Sequence, residues 1–420
     1  MRPRAERIGF QLYAAHLFTL FGIALSNVCA GVLVLASPWA VGRRGLRRAL
    51  APAADTPASR AVAGPQRWLV AALAAYVAFL GVAVAASYDP RQSLGGFSEL
   101  FTLATLVFGL ALVRGERRVR LVVDGLGAVG GLVALWGLAQ YLGGYGEIDR
   151  RIRGPFSHWM TFSGFLLLCD LLLVAALLFR GRRLREEAGW GAVAWRAAAL
   201  VAINAALLGS LTRSAWVGLA VGLALAAVLR SPRTLVAFPL GAVAFVLLAP
   251  VPLLQRVRST ADLSDPSNYD RLCMAEAGLR MVAERPLTGL GPELVEDRYP
   301  IYRTATAPRY SVPHLHSVYM QLAAERGLPA LAAYLVLMLA PLAAAWRLYR
   351  REGGRRGPRA DLLIGVLAAL VAFDLAALFE HNWGDTEVQR LALFLMAVPF
   401  GLAAADPDHA HDPEPEPPIY

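Results

Sequence analysis

Residues Met160 to Phe179 read MTFSGFLLLCDLLLVAALLF, an apolar run long enough to cross the hydrocarbon core of a bilayer as one helix. RGRRLR, residues 180–185, follows it, and EIDRRIRGPFSH, residues 147–158, precedes it. Working outward, comparable runs recur. Trp68 to Ala86, Phe97 to Val113 and Leu121 to Gly143 come before it; Ala197 to Leu211, Ala215 to Leu229 and Thr234 to Val251 come after it. Leu328 to Tyr349, Leu362 to Phe379 and Leu391 to Ala405 lie beyond a long polar gap. Ile8 to Val41 is too long for one perpendicular helix, and Ser26 and Asn27 near its middle predict a hairpin of two short spans. No small-residue cleavage site followed by a soluble domain is seen there, so this first run is expected to be a membrane anchor, not a signal peptide. The composition, 57% hydrophobic against 17% charged, agrees: the chain reads as an all-α polytopic membrane protein. It has about twelve transmembrane helices by this reading, with one large helical loop domain between the ninth and tenth. The expected division is residues 1–252 for the first nine helices, 253–327 for the loop domain, 328–405 for the last three helices, and 406–420 for a disordered tail.

A net charge of +10 in a soluble protein would suggest nucleic acid, but all 41 basic residues are arginines, mostly clustered between apolar runs. Membrane orientation explains that pattern better, and no nucleic-acid partner is inferred. The N-terminus with Arg2, Arg4 and Arg7, the segment from Arg43 to Arg67, and the RGERRVR, RGRRLR, RSPR and RLYRREGGRRGPR loops all fall on one side. That side holds most of the arginines and is read as cytoplasmic, with both termini on it; the acidic, proline-rich tail DPDHAHDPEPEPPIY ends there. Without lysine, any anionic group must be held by planar guanidinium forks. Three cysteines, Cys29, Cys169 and Cys273, have no metal-ligand spacing, and neither a disulfide framework nor a metal or other cofactor is expected.

The candidates for chemistry all fall on the other face. Arg213, in LGSLTRSAWVG, stands where one span ends and the next begins; a charge at that depth is either functional or snorkelling to the interface. In the long external loop YDRLCMAEAGLRMVAE has helical spacing, with Leu272, Ala275, Leu279 and Val282 on one face and Pro286 ending the run. On that helix Arg271 and Arg280 lie nearly half a turn apart, so one face need not carry both; exposed helical arginines are also commonly just solvated. PRYSVPHLHSVYMQLAAERGLPA, residues 308–330, holds His314 and His316. Pro313 favours a fresh helix after it and Gly327 a break, which places His316 in a first helical turn, where the helix dipole favours a neutral imidazole able to act as a base. A structural interfacial histidine fits the position as well. A zinc pair from His314 and His316 is not expected, because alternate residues diverge on a helix. FEHNWGDTEVQR brings Glu380, His381, Asn382 and Asp385 to the same face, either as a capped turn with Asp385 accepting backbone donors or as a wall of the same site.

These segments together resemble the O-antigen ligase and polymerase superfamily, membrane enzymes of bacteria that transfer glycans from undecaprenyl diphosphate. The resemblance is carried by RIRGPFSHWMTFSGFL, LTRSAWVGLA, RLCMAEAGLRMVAERPLTGLG and HSVYMQLAAERGLPA, in this order and on one side, from about Arg151 to Asp385. The last matches a family pattern of His, then Asn, Ser or Gln, nine residues and Gly, as His316, Ser317 and Gly327; Ala330 stands where a second glycine is usual. The resemblance implies a catalytic histidine at His316 and diphosphate-binding arginines at Arg213 and Arg271, with Arg280 a further candidate. Arg153, His314, Glu380, His381 and Asp385 are candidates for the wall of the same site. It further implies a metal-independent, inverting glycosyltransferase at the periplasmic face of the inner membrane. Its partners would be an undecaprenyl-diphosphate-linked glycan donor, membrane lipids, and a lipid A-core or glycan acceptor. A lipid A-core acceptor (ligase) ranks slightly ahead of polymerisation, because of the histidine motif, and a protein hydroxyl is a third option. A lipid-linked solute transporter is the rival from another class. It would need polar or broken helices at the bilayer midplane, whereas these candidates cluster at one face.

Overall fold

The computed structural model describes residues 2–51, 56–147, 149–236, 239, 247, 251–260, 262 and 265–404. Among these the chain is helical, without strands. The helices are α1 Arg2–Phe18, α2 Ile23–Ala40, α3 Gly42–Leu50, α4 Pro57–Ala85, α5 Pro90–Ser93, α6 Glu99–Leu112, α7 Glu116–Leu142, α8 Trp159–Gly209 and α9 Arg213–Arg230. Then come α10 Val251–Arg258, α11 Pro266–Glu284, α12 Val295–Tyr302, α13 Val318–Arg351, α14 Ala360–Ala376 and α15 Thr386–Ala403. Among the described residues eight segments are long and apolar enough to cross a membrane, and the chain is an integral membrane protein.

That number differs from about twelve for identifiable reasons. The expected spans Met160–Phe179 and Ala197–Leu211 lie in one helix of 51 residues, α8, which turns at the left-handed Gly189 (φ 76°). The arginine-rich connection between them is helical instead of a loop. Helices α1 and α14 have 17 residues each and fall just short of a full span. Thr234–Val251 lies mostly outside the described residues, as does the tail 406–420. The first hairpin reverses at residues 19–22, not at Ser26 and Asn27, which are inside α2. Their polar groups act as glue between helices. The Ser26 hydroxyl donates to the His16 carbonyl at 3.0 Å, and Arg390 donates to Ser26 at 3.1 Å and to Asn27 at 2.7 Å.

Helix α15 is the axis of the bundle, buried along nearly its whole length, with α6, α8, α13 and α14 packed around it. At one end of the bundle the arginine-rich connections meet: Arg118 pairs with Glu6, Arg120 with Asp361, and Arg355 donates to the Arg230 carbonyl. The other end carries α10 to α12 and the 377–385 turn. Asp170 stands deep in a span, buried inside the apolar first half of α8 and bonded by Asn204 at 2.5 Å.

The long segment between α9 and α13 has its own small core of Met274, Ala277, Met281, Leu290 and Tyr299. Helix α11 starts as its sequence dictates, with Asp265 accepting the amides of Ser267 and Asn268 and Pro266 in the first turn. Cys273, Met274, Ala277 and Met281 are inside, while Leu272, which lines a cavity, and Leu279 are exposed.

The segment after α11 is locked to α13 backbone against backbone. Leu290 and Gly291 donate to the carbonyls of Ala324 and Glu325, and Leu328 donates to that of Pro286. A Cβ on Gly327 (φ 80°) would stand 2.4 Å from the Leu287 carbonyl carbon, and one on Gly289 (φ 67°) 2.2 Å from that of Glu325. Two motifs far apart in sequence therefore require glycine for one shared contact.

Candidate active site

Helix α13 begins at Val318 with Ser317 as its N-cap, so His316 lies just before the helix and not in its first turn. Its backbone is left-handed (φ 50°), an unusual state for a residue with a Cβ, and the reversal folds the chain back on itself. As a result the His314 and His316 rings meet edge to face with centroids 4.3 Å apart, where a helix would have separated them. The Val318 amide donates to the Ala377 carbonyl, which brings the turn after α14 alongside. Glu380, on that turn, lies 3.2 Å from His316 Nδ1 through Oε1, and its Oε2 is 3.7 Å from Arg271.

The electrostatics set the direction of that bond. Burial works to raise the Glu380 carboxyl, but His316 and Arg271 pull it down to about 2. An ionised carboxylate only accepts, so Nδ1 of His316 donates, and Nε2 is the nitrogen that carries the lone pair whenever the ring is neutral. A neutral imidazole oriented by a carboxylate is the arrangement of a general base. Burial also lowers the neighbouring His314 to about 4 and His381 to about 3, so both are neutral near pH 7.

His316 stands at the edge of a cavity of about 470 Å³ whose walls combine Arg213 and Arg271 with Leu272, Ala275, Leu378 and Phe379. Arg213 opens α9 and is buried; it donates to the Ser259 carbonyl at 2.8 Å, to Ser267 at 2.5 Å and to Asn268 at 2.8 Å, tying Ser259 to the start of α11 beside the cavity. Two more arginines share this corner. Burial pushes Arg256 down, and Arg213 and Arg151 push it further, to about 10; burial, then Arg213 and Arg271, lower Arg151 as well. Arg151, Arg213, Arg256 and Arg271 together form a region of positive potential suited to a multiply charged anion. The apolar remainder suits a hydrocarbon chain, and Leu272, Leu378 and Phe379 are partly exposed at its mouth.

The other sequence candidates divide. Arg280 stays out of the cavity: it pairs with Glu276 at 2.6 Å and donates to the Tyr302 carbonyl, on the far face of α11. Arg153 is exposed and donates to the Ser157 carbonyl, holding its own loop, while Arg151 approaches the cluster. His314 and His381 face a second cavity behind His316. Asp385 occupies the N-cap position of α15 without a side-chain capping bond; its carboxyl meets Thr161, and burial, then Glu380 and Glu387, raise it to about 7. The donor atoms of His314, His316 and Glu380 lie within 4.8 Å of one another, the donor types of a three-ligand metal site. Within the chain His316 Nδ1 bonds Glu380, and His314 Nδ1 accepts the His316 amide at 3.3 Å.

Arg151, Arg256 and His158 were not singled out in the sequence. His158 caps α8 by accepting the Met160 amide at 3.2 Å and feels the charges of Glu380 and His316. The signal available for it was the RIRGPFSHW segment, where a histidine directly precedes a span.

Fold and site define a polytopic membrane protein with a carboxylate-oriented histidine beside a cationic, partly apolar cavity. Residues 197–335 match the O-antigen ligase family. That segment, which is similar to the O-antigen ligase family, holds Arg213, Arg256, Arg271 and His316. Among curated proteins none matches the chain.

Proposed function

We propose that the protein transfers a glycan from undecaprenyl diphosphate, or a closely related polyprenyl diphosphate, to an acceptor hydroxyl at the periplasmic face of the bacterial inner membrane. The observation that carries this reading is His316, oriented by Glu380 at 3.2 Å, on the rim of the cavity that contains Arg213 and Arg271. The diphosphate sits among the arginines with the isoprenoid along Leu272, Leu378 and Phe379. The acceptor hydroxyl gives its proton to His316 Nε2 and its oxygen bonds the anomeric carbon. The bond from that carbon to the diphosphate oxygen breaks, and its electron pair leaves with the diphosphate, whose growing charge the guanidinium groups stabilise. The imidazolium is held by Glu380 until its proton passes to water. A single in-line displacement inverts the anomeric carbon. Lipid A-core ligation, glycan polymerisation and transfer to a protein hydroxyl all fit this chemistry.

Purified protein in detergent, given a radiolabelled polyprenyl-diphosphate glycan and an acceptor, should release polyprenyl diphosphate and form labelled product with no second compartment. His316→Ala should abolish product while the donor still binds. Full activity in that variant would overturn the assignment, and movement of intact donor across vesicles without chemistry would favour the transporter.

A further inference from the structure

Behind the histidines lies a second cavity of about 460 Å³, within the usual ~300–1,000 Å³ range of ligand sites. His314 and His381 line it, whereas His316 lines the arginine-bearing cavity, and the rings of His314 and His316 are 4.3 Å apart. The two spaces thus meet across one histidine wall. Their charges are opposite in sign. The second cavity is lined by Glu99, Glu293, Glu296 and Glu325 against only Arg326 and Arg390. Arg326 pairs with Glu99 at 2.5 Å, and Arg390 is tied to Ser26 and Asn27. Glu293 and Glu296 are exposed, and among the described residues neither has an ion-pair partner.

The lining also leaves donors unused. Arg326 and Arg390, at 8% and 1% exposure, each keep a buried Nε–H with no hydrogen-bond partner, and His381 Nδ1 has none either. A ligand for this space must offer hydrogens to carboxylates and lone pairs to N–H groups together. A hydroxyl does both; a phosphate oxygen at neutral pH only accepts, and its charge is repelled by the glutamates.

We propose that this cavity seats the acceptor, and that the acceptor is an uncharged saccharide, the hydroxyl-rich end of another glycan, not a phosphate-bearing one. The proposal rests on the transferase reading above and narrows it toward joining glycan to glycan. Donor and acceptor approach His316 from opposite sides, the anionic donor through the arginine-bearing cavity and the hydroxyl-rich acceptor through the carboxylate-lined one.

The test offers the purified protein a radiolabelled polyprenyl-diphosphate glycan with two acceptors, a neutral oligosaccharide and the same oligosaccharide carrying one phosphate monoester. The neutral acceptor should be used at least ~10-fold more efficiently, judged by kcat/KM. The double variant Glu293→Gln with Glu296→Gln should narrow that ratio. Equal use of both acceptors, preference for the phosphorylated one, or a ratio unmoved in the double variant would each overturn the acceptor assignment while leaving the transferase reading intact. Transfer to neither acceptor would sink the transferase reading, and this proposal with it.

Discussion

Glu380 is more than a wall residue, because it fixes which nitrogen of His316 carries the proton. Glu380→Gln keeps the shape but presents an amide that can orient the ring in either sense, so turnover should fall about 10²-fold or more with donor affinity much less changed. Steady-state kinetics against equilibrium donor binding separates the two effects. Acid should expose the same cluster in stability. Glu380, held at about 2, contributes stability above the ordinary carboxylate range that is lost as pH falls from about 4.5 toward 2. His314 and His381, lowered to about 4 and about 3, bind protons more readily unfolded than folded, so their contribution is already being lost below about pH 6.5. Thermal unfolding in detergent should therefore show the midpoint falling from pH 6.5 downward, and His381→Gln should flatten the upper part of that slope. At this scale the residue types were legible, since His316, Arg213 and Arg271 stand in recognisable strings. The partnership of His316 with Glu380 was not, because it is made across the fold by a left-handed residue that no helical periodicity announces.

Elements tell a similar story of pattern read correctly and contact left open. Gly327 reads as a break in a helical pattern, and the chain does turn there. What the sequence could not say is that the break exists to let the 286–291 segment pass against the α13 backbone. The consequence is a contrast between glycines. Gly327→Ala meets both a forced left-handed conformation and the Leu287 carbonyl, so it should lower stability by more than ~1–3 kcal/mol and disturb activity. Gly144→Ala, left-handed too (φ 87°) but with nothing within 4 Å, should cost only the backbone strain, roughly 1 kcal/mol. Melting curves of the two variants give the comparison. The helical reading of α11 also left a contact open: Leu272 and Leu279 are exposed, and the small residues Cys273 and Ala277 make the packed seam.

For the whole molecule, the meeting of the arginine-rich connections at one end and of the site at the other predicts opposite sidedness. Single cysteines replacing Arg356 and Ala305, both exposed, should be labelled by a membrane-impermeant reagent from opposite faces of the membrane; labelling from the same face would refute the topology. The sequence by itself determined that this is a helical membrane protein, which ends of its helices share a side, and which strings carry a histidine and arginines for an anion. These follow from local causes, apolar run length and charge asymmetry, that act on each segment independently. Only the tertiary structure decided that Arg280 points away while Arg151 and Arg256 converge, that Glu380 aligns His316, and that an acidic cavity stands behind the cationic one. Each of those depends on which helix faces turn toward one another, and that is chosen by packing around α15 and by the glycine contact between distant segments, not by any single stretch of chain.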